Sequence, residues 1–297
     1  MRRILRSGPH VQVAAVILGL IILATILASL ISPYSPTAQD IMSNLQAPSL
    51  HHLFGTDPLG RDVFSQVLYG GRISLSVGLI AVMIEFFFGV ILGVTTGYLG
   101  GWLDAVVMRL TDIMLAMPGL VFALFIVAIL GPGIVNVMIA LGIGSIPSVT
   151  RITRGSTLSV CHREYVDAAR ASGATFWHIA LRHIVPNVIS PIMVLVLLDI
   201  GGFILSAAGM SFIGLGAQPP SPEWGAMLSN ARNYFPSAWW LSVFPGVAIA
   251  AVVLCVNIIG DAVRDYMDPR LRAAGTAPSR TREEAAAVEE VSVAVDA

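Results

Sequence analysis

The sequence predicts an all-α, polytopic membrane protein with six transmembrane helices. Three observations carry that prediction. The first is composition: of 297 residues, 56% are hydrophobic and only 12% charged, about half the charge of an average soluble domain. The second is six apolar stretches, roughly residues 11–31, 74–98, 113–130, 134–150, 187–211 and 239–260. Several come near the ~20 residues that cross a bilayer core as helix. The third is the placement of arginine, which supplies all 17 basic residues because the chain contains no lysine. With the N-terminus inside, fourteen of the 17 fall in the inner segments 1–10, 99–112, 151–186 and 261–297, and only Arg61, Arg72 and Arg232 fall outside. This positive-inside bias puts both termini in the cytoplasm.

Taken in order, the first stretch follows Arg2, Arg3 and Arg6 and resembles a signal peptide. Its apolar run is too long for one and no A-x-A site follows, so it reads as a retained span. Residues 32–73 form an external segment rich in Ser-Pro and Asp-Pro turn signals. Within it, "GRDVFSQVLYG" (60–70) reads as an amphipathic surface helix stopped by Gly70-Gly71, and His51-His52 as a solvated turn. Gly131-Pro132-Gly133 is a tight external hairpin between spans three and four, and Pro147 interrupts the fourth. A longer external loop, 212–238, precedes the sixth span. From Ala273 the chain is Ala, Glu and Val without a core pattern, either mobile or a short surface helix. The chain thus divides into an arm, first span and external segment (1–72), a five-helix core (73–262) with a cytoplasmic loop at 151–186, and a cytoplasmic tail (263–297).

The polar stretch "EYVDAARASGATFWHIALRHIVPN" (164–187) stands out from this apolar background. Glu164 to Ser172 favours helix. Tyr165, Ala168, Ala169 and Ser172 follow the spacing of one helical face, and three of those four are small. Such a narrow face can lie deep in a groove of another protein. Gly173 sits where a helix end needs a left-handed residue, and Thr175 can cap a second short helix containing Phe176 and Ile179. Pro186 is expected to push Val185 out of helical geometry at the entry to the fifth span. A basic loop that only fixes topology is the simpler account, but the helix–Gly–helix–Pro order favours docking.

Asp167-Ala168-Ala169, three residues, Gly173, then Val185-Pro186 resembles the EAA loop of ABC-importer permeases. That pattern is Glu-Ala-Ala, three residues, Gly, nine residues, Ile, one residue, Leu-Pro; here Asp167, His183 and Val185 replace Glu, Ile and Leu. The stretches 51–78, 97–120, 211–232 and 257–272 are similar to the second permease subunit of dipeptide and oligopeptide importers. The resemblance implies a type I (MetI-like) permease core in a bacterial cytoplasmic membrane. It further implies that the loop, with Glu164, Tyr165, Asp167, Ala168, Ala169, Gly173, Ala174 and Pro186, seats in an ATPase subunit. The implied partners are a homologous permease in a heterodimer, two ATPase domains carrying ATP and Mg, and an external substrate-binding protein. Nickel, glutathione and heme importers share the permease type and remain open as alternatives.

Several chemistries find no support in the residues. A Walker A motif requires lysine, so nucleotide hydrolysis has to reside on another chain. A net charge of −1 gives no basic field for nucleic acid. Cys161 and Cys255 have no zinc-site spacing. His178 and His183 are five apart, about 140° around a helix, which suits no shared ligand face; His162 adds no cluster. No catalytic set can be assembled, which counts against an intramembrane protease and makes the chain non-catalytic by itself. Asp62, Glu85 and Asp199 are too distant in sequence to pair by local spacing. Glu85 and Asp199, being acids inside spans, are candidates for the translocation path or for a hydrogen bond to a neighbouring span. A proton-coupled secondary transporter would also use such acids, without an ATPase.

Overall fold

The computed structural model describes residues 8–267, so the first seven residues and the C-terminal tail from 268 lie outside the described residues. Within them the chain forms helices α1 (Pro9–Ile26), α2 (Ala28–Ile31), α3 (Val63–Leu99), α4 (Gly101–Leu115), α5 (Gly119–Leu130) and α6 (Ile134–Cys161). There follow α7 (Glu164–Ala171), α8 (Phe176–Ile179), α9 (Val185–Phe212), α10 (Trp224–Ala231) and α11 (Trp240–Met267). Among the described residues five helical stretches are long and apolar enough to cross a membrane, six if α4 and α5 count as one bent span.

Three expected spans differ from the structure. The third stretch, 113–130, is not one helix: α5 has 12 residues, about 18 Å, too short to cross a bilayer alone. It meets α4 at 96°, because Pro118 lacks an N–H and steers Met117 away from helix. The second span starts at Val63 rather than 74 and runs through Gly70-Gly71 for 37 residues. Those glycines are packing positions, not a stop. A Cβ at Gly71 would lie 2.2 Å from Thr25 Cγ2 and 2.9 Å from Trp224 Cζ2. Helix α3 starts where the Asp62 carboxylate accepts the Ser65 N–H at 2.8 Å and ends at Gly100 and Gly101, both left-handed (φ 61° and 62°). Pro147 lies inside α6, which continues past the expected limit to Cys161.

The centre of the molecule is the α3–α6 seam. On α3, Gly89, Gly93 and Gly97 recur every fourth residue, so they share one face. Facing them on α6 are Val149, Thr153 and Thr157. A Cβ at Gly93 would sit 2.4 Å from Thr153 Cβ and 2.7 Å from Thr150 O, and one at Gly97 would sit 2.8 Å from Thr157 Cβ. Further along, Gly142 of α6 receives Ile84, whose Cβ would be 2.7 Å from an added Cβ. The two backbones approach this closely because one partner is glycine at each crossing point, the usual device for helices in lipid. Threonine methyls fill the grooves, and the Thr150, Thr153 and Thr157 hydroxyls are buried without a hydrogen-bond partner.

The end of the bundle opposite α7 carries an ordered polar cap made from residues 32–62 and 213–239. Asp57 accepts from Arg61 Nε at 2.6 Å and from Gln66 Nε2 at 3.0 Å. Phe54 stacks on Phe244 at 3.8 Å, and Trp240 Nε1 donates to Thr56 O at 3.1 Å. Glu223 caps α10 by accepting the Gly225 and Ala226 N–H groups at 2.9 Å, and it accepts the Ser74 hydroxyl at 3.0 Å. The His51-His52 expectation is corrected here: His52 is no solvated turn residue, since its Nδ1 lies 3.0 Å from Asp62 Oδ1. Arg72 also has a local duty beyond topology. It donates to Thr25 O and Ile26 O at 2.7 Å each, satisfying the last carbonyls of α1.

The seam makes a contrast that can be measured. Gly93→Ala is expected to destabilise by about 1–3 kcal/mol through overpacking, seen as a lower melting temperature in detergent. Gly155→Ala on α6, where nothing lies within 4 Å of the added Cβ, should leave the melting temperature unchanged. Equal melting of the two variants would refute the close-approach account.

Candidate functional site

The polar stretch folds as two short helices lying across the end of the α3–α6 pair. Helix α7 places Glu164 and Asp167 in its first turn and Arg170 in its last, the order its macrodipole favours. Val166 is its buried contact, and Ala169 packs half-buried against the same core. Glu164, Tyr165, Asp167, Ala168, Ser172 and Gly173 are exposed. The expected single free face is therefore narrower than its spacing suggested. Tyr165, Ala168 and Ser172 look outward, while Ala169 turns inward beside Val166.

The helix ends in a paired hydrogen-bond motif. Gly173 N–H donates to Arg170 O at 3.0 Å, and Ala174 N–H donates to Ala169 O at 3.1 Å. That pairing requires a left-handed residue, and Gly173 has φ 77°. Thr175 then caps α8 by accepting the His178 N–H at 3.4 Å. Tyr98, the residue after the last seam glycine, holds both helices: the Arg170 guanidinium lies 5.4 Å over its ring and Phe176 packs at 5.2 Å.

Pro186 behaves differently from the expectation. Val185 keeps helical angles, φ −52° and ψ −47°, because Ala180–Ile184 forms a π turn. Its wider i→i+5 bonding lets the chain pass a residue without an N–H. Asn187 Nδ2 donates to His183 O at 2.6 Å, taking up one carbonyl of that turn. Residues 176–212 therefore form one continuous helical rod instead of helix, turn and span. The π turn also brings the His178 and His183 rings to 5.9 Å, which the regular-helix angle did not anticipate. Among the described residues no three metal-ligating side chains cluster.

The two intramembrane acids, which sequence spacing left apart, meet in space. Glu85 of α3 is only 1% exposed, and its electrostatic neighbour is Asp199 of α9. The two carboxyl groups are hydrogen-bonded to each other, which requires one of them to hold a proton. Asp199 lines a cavity of about 210 Å³ between α5, α6 and α9, together with Ser145 and Ser206. On the α7 side, Arg154 of α6 grips Asp104 of α4 (Nη2 to Oδ2, 2.6 Å) and Arg151 pairs with Asp112. These bridges fix the bent α4–α5 unit to α6.

With this geometry in hand, comparison with known proteins is informative. Residues 89–273, more than half of the chain, match the family described as binding-protein-dependent transport system inner membrane component. The chain belongs to this permease family. Residues 1–48 match the N-terminal TM domain of oligopeptide transport permease C. The permease is 44% identical over 266 residues to the probable D,D-dipeptide transport system permease protein DdpC of Escherichia coli K12, covering 90% of this chain and 89% of that one. It is 44% identical to the dipeptide transport system permease protein DppC of Alkalihalophilus pseudofirmus, covering 90% and 88%. It is 43% identical to the glutathione transport system permease protein GsiD of Pectobacterium atrosepticum, covering 91% and 90%. An inward-facing structure of the MetNI methionine ABC transporter shares the fold, with a TM-score of 0.55 at 16% identity over 69% of this chain and 97% of that one.

Sequence reading of the permease missed two things that position the site. The Gly89-x3-Gly93-x3-Gly97 repeat is a recognisable close-packing signal, but it sits inside an apolar run and its partner face is unknown without the fold. Tyr98 carries no signal at all.

The left-handed turn gives a local prediction. Gly173→Val should cost about 1–2 kcal/mol at that turn, with no clash because nothing lies within 4 Å of the added Cβ. Hydrogen exchange in 164–175 is expected to speed up roughly tenfold while the global melting temperature stays put. Unchanged exchange would remove the hinge.

Proposed function

We propose that this permease is a membrane subunit of an ATP-driven importer of dipeptides and short oligopeptides. The observation that carries the proposal is identity of 43–44% over about nine-tenths of the chain to permeases named for dipeptide, D,D-dipeptide and glutathione transport. These cargoes share a peptide or peptide-like backbone with a primary amine. Glutathione itself is a second reading, favoured by 46% identity over 260 residues to the Escherichia coli GsiD.

In this proposal the α7 end faces the cytoplasm with both termini, and the polar cap faces outward toward a substrate-binding protein. The translocation path runs between this subunit and a homologous permease. The subunit is non-catalytic: ATP and Mg reside on two ATPase domains, on one of which α7 docks through Tyr165, Ala168 and Ser172. Glu164, Asp167 and Pro186 flank that contact, while Ala169, Gly173 and Ala174 shape it from within. The continuous rod 176–212 supports a mechanical role, since displacement of α8 is carried into α9 without a flexible joint. Movement of the ATPases would then be felt beside Asp199.

Ala168→Arg places a long charged side chain on the outward face without touching the core. Copurification of the ATPase subunits is expected to fall at least tenfold, about 1.4 kcal/mol or more, while the second permease stays bound. Cysteines at Ala168 and in the ATPase groove should crosslink in the unmodified complex. Absence of crosslinks under every nucleotide condition would sink the docking role. Competition uptake with dialanine and glutathione separates the two cargo readings.

A further inference from the structure

The π turn changes what two histidines can do. His178 and His183 are five residues apart, and a regular helix would hold them about 140° from each other. Here the chain between them follows the wider i→i+5 bonding at Ala180–Ile184, which sets residues five apart one above the other on successive turns. The two rings accordingly lie 5.9 Å apart, centre to centre, with their planes tilted by 58°. His178 is exposed and His183 half-buried. Both residues bond through their backbones, the His178 N–H to the Thr175 hydroxyl and the His183 carbonyl to the Asn187 amide. Among the described residues the histidine ion pair is that of His52, so no acid engages either of these rings.

Two accessible imidazoles at this separation form a chelate. Neutral imidazole nitrogen is a ligand for late first-row divalent cations such as Ni(II), Cu(II) and Zn(II). At metal–nitrogen distances of about 2.0–2.1 Å, two rings on one ion have centres roughly 4.5 to 6.5 Å apart, from cis to trans. The observed 5.9 Å falls inside that window. Among the described residues no third metal-ligating side chain joins the pair, so water completes the coordination from the exposed side of His178. Magnesium and calcium, which take oxygen ligands, do not suit such a site.

We infer that His178 and His183 bind one late first-row divalent cation, which bridges α8 to the π turn and holds that turn in its i→i+5 form. The coupling follows from geometry. The π turn presents both rings to one ion and a regular helix separates them, so the ion stabilises the form it selects. Because α8 enters α9 through this turn, the ion stiffens the joint on which the continuous rod 176–212 depends. Tyr165 of α7 packs against the His183 ring, also at 5.9 Å, so the site borders the exposed face of α7. The site is independent of the cargo carried.

The purified full-length chain in detergent, made without a polyhistidine tag, is titrated calorimetrically with Ni(II) and separately with Mg(II) at neutral pH. His178→Gln and His183→Gln are each expected to weaken Ni(II) binding at this site at least about tenfold, because each leaves one tethered ligand where there were two. Mg(II) should not bind. Hydrogen exchange supplies the second readout. At Ni(II) about ten times its Kd, exchange in 179–187 of the unsubstituted chain should slow about tenfold, and in neither variant. Ni(II) affinity equal to that of the unsubstituted chain in both variants overturns the site. Weakening by one substitution but not the other reveals a single-histidine ligand and overturns the chelate. Bound Ni(II) that leaves exchange in 179–187 unchanged overturns the brace on the π turn.

Discussion

Two helices in a membrane have little hydrophobic reason to touch, since lipid solvates them equally well. What holds α3 to α6 is close backbone approach, with Gly89, Gly93 and Gly97 receiving Val149, Thr153 and Thr157. Both the buried acids and the polar helices α7 and α8 are placed by that seam. At one end Gly142 admits Ile84, which sets the next residue, Glu85, into the junction with α9. At the other end Tyr98 follows directly on the last seam glycine and receives Arg170 and Phe176. The acids and the short helices α7 and α8 thus lie at two ends of one close-packed pair. The spacing between them is fixed by helical rise, not by loops.

The second structural element of consequence is the join between α8 and α9. A proline at the mouth of a span ordinarily marks a bend or a stop. Here the π turn at Ala180–Ile184 absorbs the missing N–H, and Asn187 satisfies a carbonyl it frees. Helix α8 and the helix that carries Asp199 become a single lever. Gly173, by contrast, separates α7 from that lever by a left-handed turn stabilised by two backbone hydrogen bonds.

The polar cap at the far end is ordered by carboxylates used as structural acceptors. Asp57, Asp62 and Glu223 are buried, and each is satisfied by backbone or side-chain donors. Buried acids whose valences are filled in this way serve the fold. Glu85 is the contrasting case, buried to the same degree but paired with a second acid, Asp199, through a shared proton.

The sequence by itself determined the class, the approximate number of spans and the polar helix–glycine–helix segment, because these depend on local chemistry. Apolar length sets a span. Arginine bias supports an orientation. A small-residue helix followed by glycine and a cap is written within twelve residues. The tertiary structure alone decided what depends on a partner face. Gly70-Gly71 reads locally as a stop and becomes a contact with Thr25 and Trp224. The stretch 113–130 reads as one span and becomes a bent unit tied to α6 by Arg151 and Arg154. Ala169 reads as part of a free face and turns half inward. Glu85 and Asp199 read as isolated acids 114 positions apart and become neighbours. Apart from the bend at Pro118, which is local, the deciding energy is a contact between segments distant in sequence, which no local pattern encodes.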